Sequence, residues 1–190
     1  MSSELLNKNQ KKELLDIVRQ TVESYVREGK TPEFNIKDER LKKKEGAFVT
    51  LHKAGELRGC IGQIIPSDQP LWEVARDMAI AACSEDYRFS PVAENELNKL
   101  DYEISVLSVP KEIDNWQNIK LSEHGVIVEK GGCGGVFLPQ VATETGWDLE
   151  EFLGQLCSQK AGLPADCYKN DPNVKLKTFT AQVFNEKDIK

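Results

Sequence analysis

The first thirty residues carry hydrophobic side chains at the 3.6-residue spacing of an amphipathic helix. This pattern predicts a helix over Lys8–Glu28. Asn7, with Gln10 three residues later, is typical of a capping box, and Gly29 stands where a helix commonly ends in the left-handed conformation. The predicted buried stripe consists of Leu14, Val18, Val22 and Tyr25.

Segment 46–65 alternates between apolar and polar positions, which is the period of a β-strand, and Lys53-Ala54-Gly55 interrupts it. We predict a β-hairpin with these three residues as its loop, because Gly55 can adopt the positive φ that such a loop requires. The predicted register pairs Leu51 with Leu57 and gives one coherent apolar face. A slip by one residue would give a poorer core, so this register is preferred.

The second strand of this hairpin contains the hexapeptide Leu57-Arg58-Gly59-Cys60-Ile61-Gly62, which places a guanidinium, a thiol and two glycines in one predicted strand. Glycine inside a strand usually marks a bulge or a close approach to the backbone. In the predicted register Phe48 pairs with Cys60, so Arg58 and Cys60 point together, away from the main apolar face. The hexapeptide is therefore predicted to carry the special surface of the protein.

The remaining pattern predicts two further long helices and four further strands. The helices run from about Pro66 to Ser84 and from Asp148, an N-cap with Glu151 completing the box, to Gly162. Hairpins imply antiparallel pairs, so we predict an α+β fold with a mainly antiparallel sheet covered by helices. The predicted strands are 101–109, 125–130, 136–138 and 174–184.

Composition and charge narrow the class of protein. The 190 residues include 25 basic and 31 acidic side chains, a formal charge of −6, which argues against a nucleic-acid binder driven by electrostatics. The length fits a single domain over 1–190, with an ordered core from about 8 to 185. No apolar stretch approaches a membrane span and no signal-peptide pattern follows the N-terminus, so we expect a cytoplasmic protein.

The cysteines are odd in number and form no C-x-x-C pair, so neither a zinc site nor a disulfide framework is predicted. We expect all five to be reduced thiols, and we predict no metal or cofactor. They are Cys60, Cys83, Cys133, Cys157 and Cys167.

Cys60 is the sharpest candidate for chemistry, because the neighbouring Arg58 could stabilise a nucleophilic thiolate. The alternative is a small residue packed under Phe48. The predicted register puts His52 four residues along from Cys60, roughly 13 Å at the strand rise. His124 is then the remaining histidine base, although it could equally be a turn residue that bonds the backbone.

Two other features have structural explanations. The glycine-rich run 131–135 joins two predicted strands, so we interpret it as a hairpin loop and not as a phosphate cradle, which leads from a strand into a helix. The acidic side chains that could hold Arg58 or Arg88 in bidentate ion pairs are Glu85, Asp86 and Glu103.

Several motifs, in order along the chain, resemble those of the AMMECR family, whose prokaryotic members are also called protein A of the AmmeMemoRadiSam system. The resemblance runs from about Leu14 to Phe184. The motifs are Gly46–Leu51, Leu57–Gly62, Asp86–Pro91, His124–Val126, Leu138–Val141 and Lys160–Leu163.

The resemblance implies one α+β domain of two unequal lobes, with the hexapeptide near the groove between them. It also implies gene-neighbourhood links to a Memo-like protein and a radical-SAM protein and a suggested link to RNA metabolism, but no settled activity. The positions that belong to family motifs are Arg58, Gly59, Cys60, Gly62, Asp86, Arg88, Phe89, Pro91, His124, Pro139 and Gln140.

Two classes of function remain open. The first is a binding domain that presents the groove to a small ligand or to a Memo-like or radical-SAM partner. The second is a cleft enzyme in nucleotide or RNA metabolism, with Cys60 as nucleophile and His124 as base. Binding is preferred, because the sequence contains no complete catalytic constellation.

Overall fold

The computed structural model describes residues 4–189, which form two compact units. The first unit is Met1–Val109 with Gln182–Lys190, and the second is Pro110–Ala181. Each unit contains helices and a four-stranded sheet with antiparallel strand pairs, so the predicted α+β fold is confirmed. The predicted groove between two lobes stays a prediction.

The described chain contains helices α1 (Lys8–Glu28), α2 (Leu71–Ser84), α3 (Pro139–Thr145), α4 (Leu149–Gln155) and α5 (Cys167–Asn170). Its strands are β1 (Gly46–Lys53), β2 (Glu56–Gln63), β3 (Leu100–Leu107), β4 (Lys111–Ile113), β5 (Gly125–Lys130), β6 (Cys133–Phe137), β7 (Lys175–Phe179) and β8 (Ala181–Asn185). No helix within residues 4–189 is both long enough and apolar enough to cross a membrane.

The first helix has the ends that its sequence predicts. The Gln10 N–H donates to the Asn7 side chain at 3.0 Å, and the Asn7 N–H donates to the Gln10 side chain at 2.9 Å. Gly29 adopts a φ of 66°, and its N–H donates to the Tyr25 carbonyl. The capping box and the terminal glycine therefore set α1 by local interactions alone.

The sheet of the first unit has the strand order β2-β1-β3-β8, so β2 lies at its edge. Helices α1 and α2 supply apolar side chains to the same buried cluster as β1 and β3. The fully buried side chains on β1 are Ala47, Val49 and Leu51. One face of this sheet is thus core, and the other face carries the side chains of the alternate positions.

The predicted hairpin register is wrong. The turn between β1 and β2 has two residues, Ala54 and Gly55, with φ values of 55° and 85°. Positive φ at both positions matches the right-handed twist of the strands, so this tight turn replaces the predicted three-residue loop. Leu51 pairs with Gly59 and not with Leu57.

A bulge next to the turn changes which side chains share a face. His52 pairs with Leu57 and Leu51 with Gly59, so Arg58 is the extra residue of β2. Cys60 pairs with Thr50, and the predicted pair of Phe48 with Cys60 is therefore also wrong, because Phe48 faces Gly62.

Residues directly opposite each other in an antiparallel pair lie on the same face, so Cys60 and Leu57 share the face opposite the core. Leu57 is 41% exposed and does not line the core as predicted. The prediction that Arg58 and Cys60 point together rested on that register and is therefore also wrong. The loop that follows α2 instead contacts both residues.

Close approaches explain both glycines of the hexapeptide. A Cβ on Gly59 would lie 2.2 Å from the main-chain oxygen of Ala82 in α2. A Cβ on Gly62 would lie 2.1 Å from the ring of Phe48. Neither position has room for a larger side chain, so β2 can pack on α2 and under the aromatic ring only with glycine there.

The second unit has the strand order β4-β7-β5-β6. Asp148 caps α4, and Glu151 completes the predicted box. The strand predicted over 174–184 is two strands, β7 and β8, which belong to different sheets. The β5–β6 connection is a two-residue turn at Gly131 and Gly132, both with positive φ, so the predicted hairpin is confirmed. The loop is shorter than the predicted run 131–135, because residues 133–135 pair with β5 as part of β6.

The prediction that all five cysteines are reduced is wrong for two of them. Cys157 and Cys167 form a disulfide inside the second unit. The spacing of these two cysteines matches no recognisable disulfide framework. Their contact depends on how the chain turns back after α4. Cys60, Cys83 and Cys133 are free thiols.

Candidate functional site

Asp86 fastens the loop that follows α2 to the edge strand β2. Its carboxylate, in a residue only 4% exposed, accepts the main-chain N–H of Cys60 at 2.9 Å. The Arg88 Nε and Nη2 atoms donate to the same carboxylate at 2.9 and 2.7 Å. Arg88 Nη2 also donates to the Cys60 carbonyl at 3.2 Å. The two side chains therefore occupy both main-chain groups of Cys60, much as a neighbouring strand would.

The Arg88 guanidinium, which donates to the carboxylate, holds the pKa of Asp86 well below its ordinary value of 3.8. Burial opposes this shift, and the N–H of Cys60 adds to it. A buried carboxylate is stable only when its charge is compensated, and here a cation and main-chain donors do so. The pairing of Asp86 with Arg88 confirms one of the ion pairs that the sequence suggested.

Arg58, the bulged residue, is held by a carboxylate that the sequence reasoning missed. Its Nε and Nη2 atoms donate to Glu96 at 3.1 and 2.9 Å, and Lys53 Nζ donates to Glu96 at 2.6 Å. The Arg58 guanidinium contributes most to holding the pKa of Glu96 below its ordinary value. The predicted partners Glu85, Asp86 and Glu103 do not fill this role.

Glu96 also has a local role in the turn that contains it. Glu96 belongs to a 3₁₀ turn over Glu94–Lys99, and its carboxylate accepts the N–H of Ala93, as a capping glutamate does. Its second role, as partner of Arg58, follows only from the tertiary fold.

Phe89 lies between the two arginines. The Arg58 and Arg88 guanidinium carbons lie 6.0 and 5.5 Å from the centre of its ring, within the range of cation–π contacts. Arg58 Nη2 also donates to the Pro91 carbonyl at 3.3 Å, which ties the end of the loop to β2. The hexapeptide and the Asp86–Pro91 loop are therefore one ordered surface.

Tyr87 stands at the outside of this loop and is 94% exposed, which is unusual for an aromatic side chain. Arg88 beside it is 43% exposed at its side chain, although its guanidinium is held in place. We call the surface formed by Leu57, Arg58, Tyr87, Arg88 and Phe89 the arginine–aromatic surface.

The thiol of Cys60 is half-buried and accepts a hydrogen bond from the Thr50 hydroxyl at 3.3 Å. Since Thr50 pairs with Cys60, His52 is displaced from Cys60 by two residues along β1, about 7 Å at the strand rise. The prediction of four residues was wrong, because it used the wrong register. His52 Nε2 lies 4.0 Å from a Glu103 carboxylate oxygen.

His124 lies in the second unit, directly before β5. Its Nδ1 accepts the main-chain N–H of Lys120 at 3.2 Å, and the main-chain N–H of His124 donates to the Lys120 carbonyl at 2.9 Å. His124 thus closes a turn, as one of the two sequence-based alternatives predicted. Pro139, which is buried, begins α3, and Gln140 follows it as an exposed residue. Their roles in a site stay predictions.

The fold and the site define a class of protein: an α+β protein in which a buried aspartate, paired with a partly exposed arginine, holds a loop against an edge strand and presents an arginine–aromatic surface. A family model named AMMECR1 matches residues 15–184. The chain belongs to the AMMECR1 family.

Its relatives are similar over almost their whole length. A protein of Methanothermobacter thermautotrophicus is 40% identical over 190 residues, covering 95% of this chain and 96% of the relative. A protein of Thermococcus gammatolerans is 44% identical, covering 91% and 88%. The crystal structure of an uncharacterised protein from Pyrococcus horikoshii has a TM-score of 0.82 and 40% identity, covering 92% and 90%.

Proposed function

We propose that this chain is a binding module whose arginine–aromatic surface docks a protein partner. The observation that supports this proposal is that Asp86 and Arg88 form hydrogen bonds with the main-chain N–H and carbonyl of Cys60. These bonds order an exposed loop on the edge of a sheet before any partner binds. A surface ordered in advance binds with a smaller loss of conformational entropy.

The composition of the surface favours a protein partner. Tyrosine and arginine are the residues most enriched among those that dominate the energy of protein interfaces. Here the exposed Tyr87 lies next to Arg88, whose guanidinium is already fixed by Asp86. A partner would bury the aromatic ring without having to order the arginine as well.

The local charges do not favour a polyanion. Arg58 and Lys53 share the single carboxylate of Glu96, and Arg88 pairs with Asp86, so two carboxylates offset most of the charge of three cations. Together with the net charge of −6, this compensation supports a partner that contacts aromatic and aliphatic surface in preference to RNA. The resemblance to the AmmeMemoRadiSam system names the two partners to test first, a Memo-like protein and a radical-SAM protein.

Biolayer interferometry of the purified chain against each of these proteins tests the proposal. Tyr87→Ala should weaken binding at least tenfold, since it removes an exposed aromatic anchor. Leu5→Ala is the matched control, because Leu5 is a 69% exposed apolar residue outside the arginine–aromatic surface. Equal affinities for both variants, or no binding of either protein, would reject the proposal. If native mass spectrometry finds a small molecule bound to the chain, the proposed partner is a small ligand and not a protein.

The enzyme alternative has less support from the contacts. Within residues 4–189, the described contact of the Cys60 sulfur is the Thr50 hydroxyl, which is not a general base at neutral pH. His124 uses its Nδ1 to accept a main-chain N–H. A nucleophilic role for Cys60 would have to appear as unusual reactivity of its thiol.

A further inference from the structure

The Cys157–Cys167 disulfide lies in the apolar core of the second unit. Both residues are buried, and the cluster around them includes Phe152, Leu156 and Tyr168. The bridge joins cysteines that are ten positions apart in the sequence, one just after α4 and the other at the start of α5. It is separate from the arginine–aromatic surface, which belongs to the first unit.

Cys157 belongs to a π-helical turn, Leu156–Lys160, that directly continues α4. The Ala161 N–H donates to the Leu156 carbonyl at 3.1 Å, five residues back, and the Leu163 N–H donates to the Cys157 carbonyl at 2.9 Å. A π turn is less regular than the α-helix before it and often marks a functional position. The bridge thus holds an irregular turn in place.

This π turn packs directly on β6. A Cβ on Gly135 would lie 2.6 Å from the Lys160 Cβ and 2.9 Å from the Ala161 nitrogen. The π turn and β6 are in close contact at this point. A shift of the turn must therefore also shift β6 or open a gap between them. Strand β6 in turn pairs with β5 through Gly135 and Val128, next to the two-residue glycine turn.

Both redox states are compatible with these surroundings. A disulfide is apolar, and a pair of reduced cysteines behaves as two small hydrophobic side chains. The rest of the cluster is aliphatic and aromatic and needs neither state to stay buried. The two states therefore differ mainly in whether the π turn is tied to α5.

We propose that Cys157 and Cys167 are a reversible thiol–disulfide site that controls how firmly the π turn holds β6. The reagent class is a protein or small-molecule dithiol. Its thiolate attacks the Cys167 sulfur, forms a mixed disulfide and releases the Cys157 thiolate, which takes up a proton. The second thiol of the reagent loses its proton and attacks the reagent sulfur of that mixed disulfide. It releases Cys167 as a thiolate, which is then protonated, and the reagent leaves as a disulfide.

The wild-type chain itself provides the test, prepared with glutathione disulfide or with dithiothreitol. Intact-mass spectrometry after thiol blocking should show the oxidised form with two fewer blocking groups than the reduced form, with the bridge mapped to Cys157 and Cys167. Hydrogen exchange should then be several-fold faster in 133–137 and 156–163 of the reduced form. Peptides from 46–63, in the first unit, are the internal control and should not change.

A second arm separates a switch from a simple structural cross-link. The Cys157→Ala/Cys167→Ala double variant should show the exchange pattern of the reduced wild type and should not respond to dithiothreitol. Three results would overturn the proposal: no bridge under oxidising conditions, equal exchange of 133–137 in both states, or complete unfolding of the second unit on reduction. The first two are measured on wild-type protein, so a variant that fails to fold does not obscure them.

Discussion

The Asp86 carboxylate accepts the main-chain N–H of Cys60 at 2.9 Å, and this bond joins the loop after α2 to the edge of the first sheet. The edge strand β2 would otherwise present this N–H outward. Edge strands with free backbone groups invite pairing with other chains, and proteins commonly cover them. The same bond therefore protects the edge and sets the position of Tyr87.

Replacing Asp86 with alanine should destabilise the first unit. The variant loses the hydrogen bonds from Cys60 and Arg88 and leaves partly buried donors without this acceptor, a cost of about 1–3 kcal/mol in the free energy of unfolding. Urea denaturation followed by circular dichroism measures it. Asp68→Ala is the control, because Asp68 is fully exposed and makes only a surface ion pair with Lys44. Equal midpoints for the two variants would contradict the role given to Asp86.

Stability should fall in acid because of Asp86 and Glu96. Both carboxyls have a pKa in the folded state below the ordinary values of 3.8 and 4.5, chiefly through the guanidinium groups of Arg88 and Arg58. Their contribution is fully present above the ordinary values and is lost as the pH falls through the lowered ones. Urea midpoints between pH 7 and pH 2.5 should drop below about pH 4.5.

The Asp86→Asn/Glu96→Gln double variant provides the comparison for this pH dependence. It removes both titrating groups but keeps side chains of similar shape, so its stability should depend less steeply on acid than that of the wild type. A double variant with the wild-type slope would place the acid sensitivity elsewhere.

Local rules predicted the parts of this protein that depend on neighbours in sequence. The ends of α1 and the cap of α4 follow from Asn7, Gln10 and Asp148, because capping bonds span only three residues. The α+β class follows from the alternation and the short connections. The contacts between the hexapeptide and the Asp86–Pro91 loop, in contrast, join distant parts of the sequence and do not follow from local rules.

The features that the sequence did not predict depend on tertiary contacts. The hairpin register depends on a positive φ at Ala54, a conformation that alanine disfavours. It also depends on a bulge at Arg58, which no spacing rule reveals. The continuous alternation of 174–184 concealed the passage from one sheet to the other. The Cys157–Cys167 bridge and the Arg58–Glu96 pair join residues whose approach is set by packing.

Iodoacetamide labelling separates the two functional hypotheses for Cys60. Cys133 is exposed and provides the fast reference; Cys83 is the slow one, because burial raises its pKa to about 11. If the surface only binds, the half-buried Cys60 should react more slowly than Cys133 in the folded protein at pH 7.5. Mass spectrometry of the peptides gives all three rates. Cys60 reacting faster than Cys133, and slowing in Arg58→Ala, would support the enzyme hypothesis instead.

The close packing of β2 on α2 gives the last prediction. In Gly59→Ala the new Cβ would lie 2.2 Å from the Ala82 carbonyl oxygen, a main-chain atom that cannot rotate away. The strand or the helix must move, and overpacking of this kind costs about 1–3 kcal/mol or more. Gly154→Ala is the matched control, because Gly154 lies in α4 and a Cβ there meets its nearest atom only at 3.7 Å. Since alanine favours a helix over glycine by about 1 kcal/mol, the control should be neutral or stabilising. Thermal denaturation of both variants measures the difference, and a Gly59→Ala protein as stable as Gly154→Ala would mean that β2 does not pack on α2 as described.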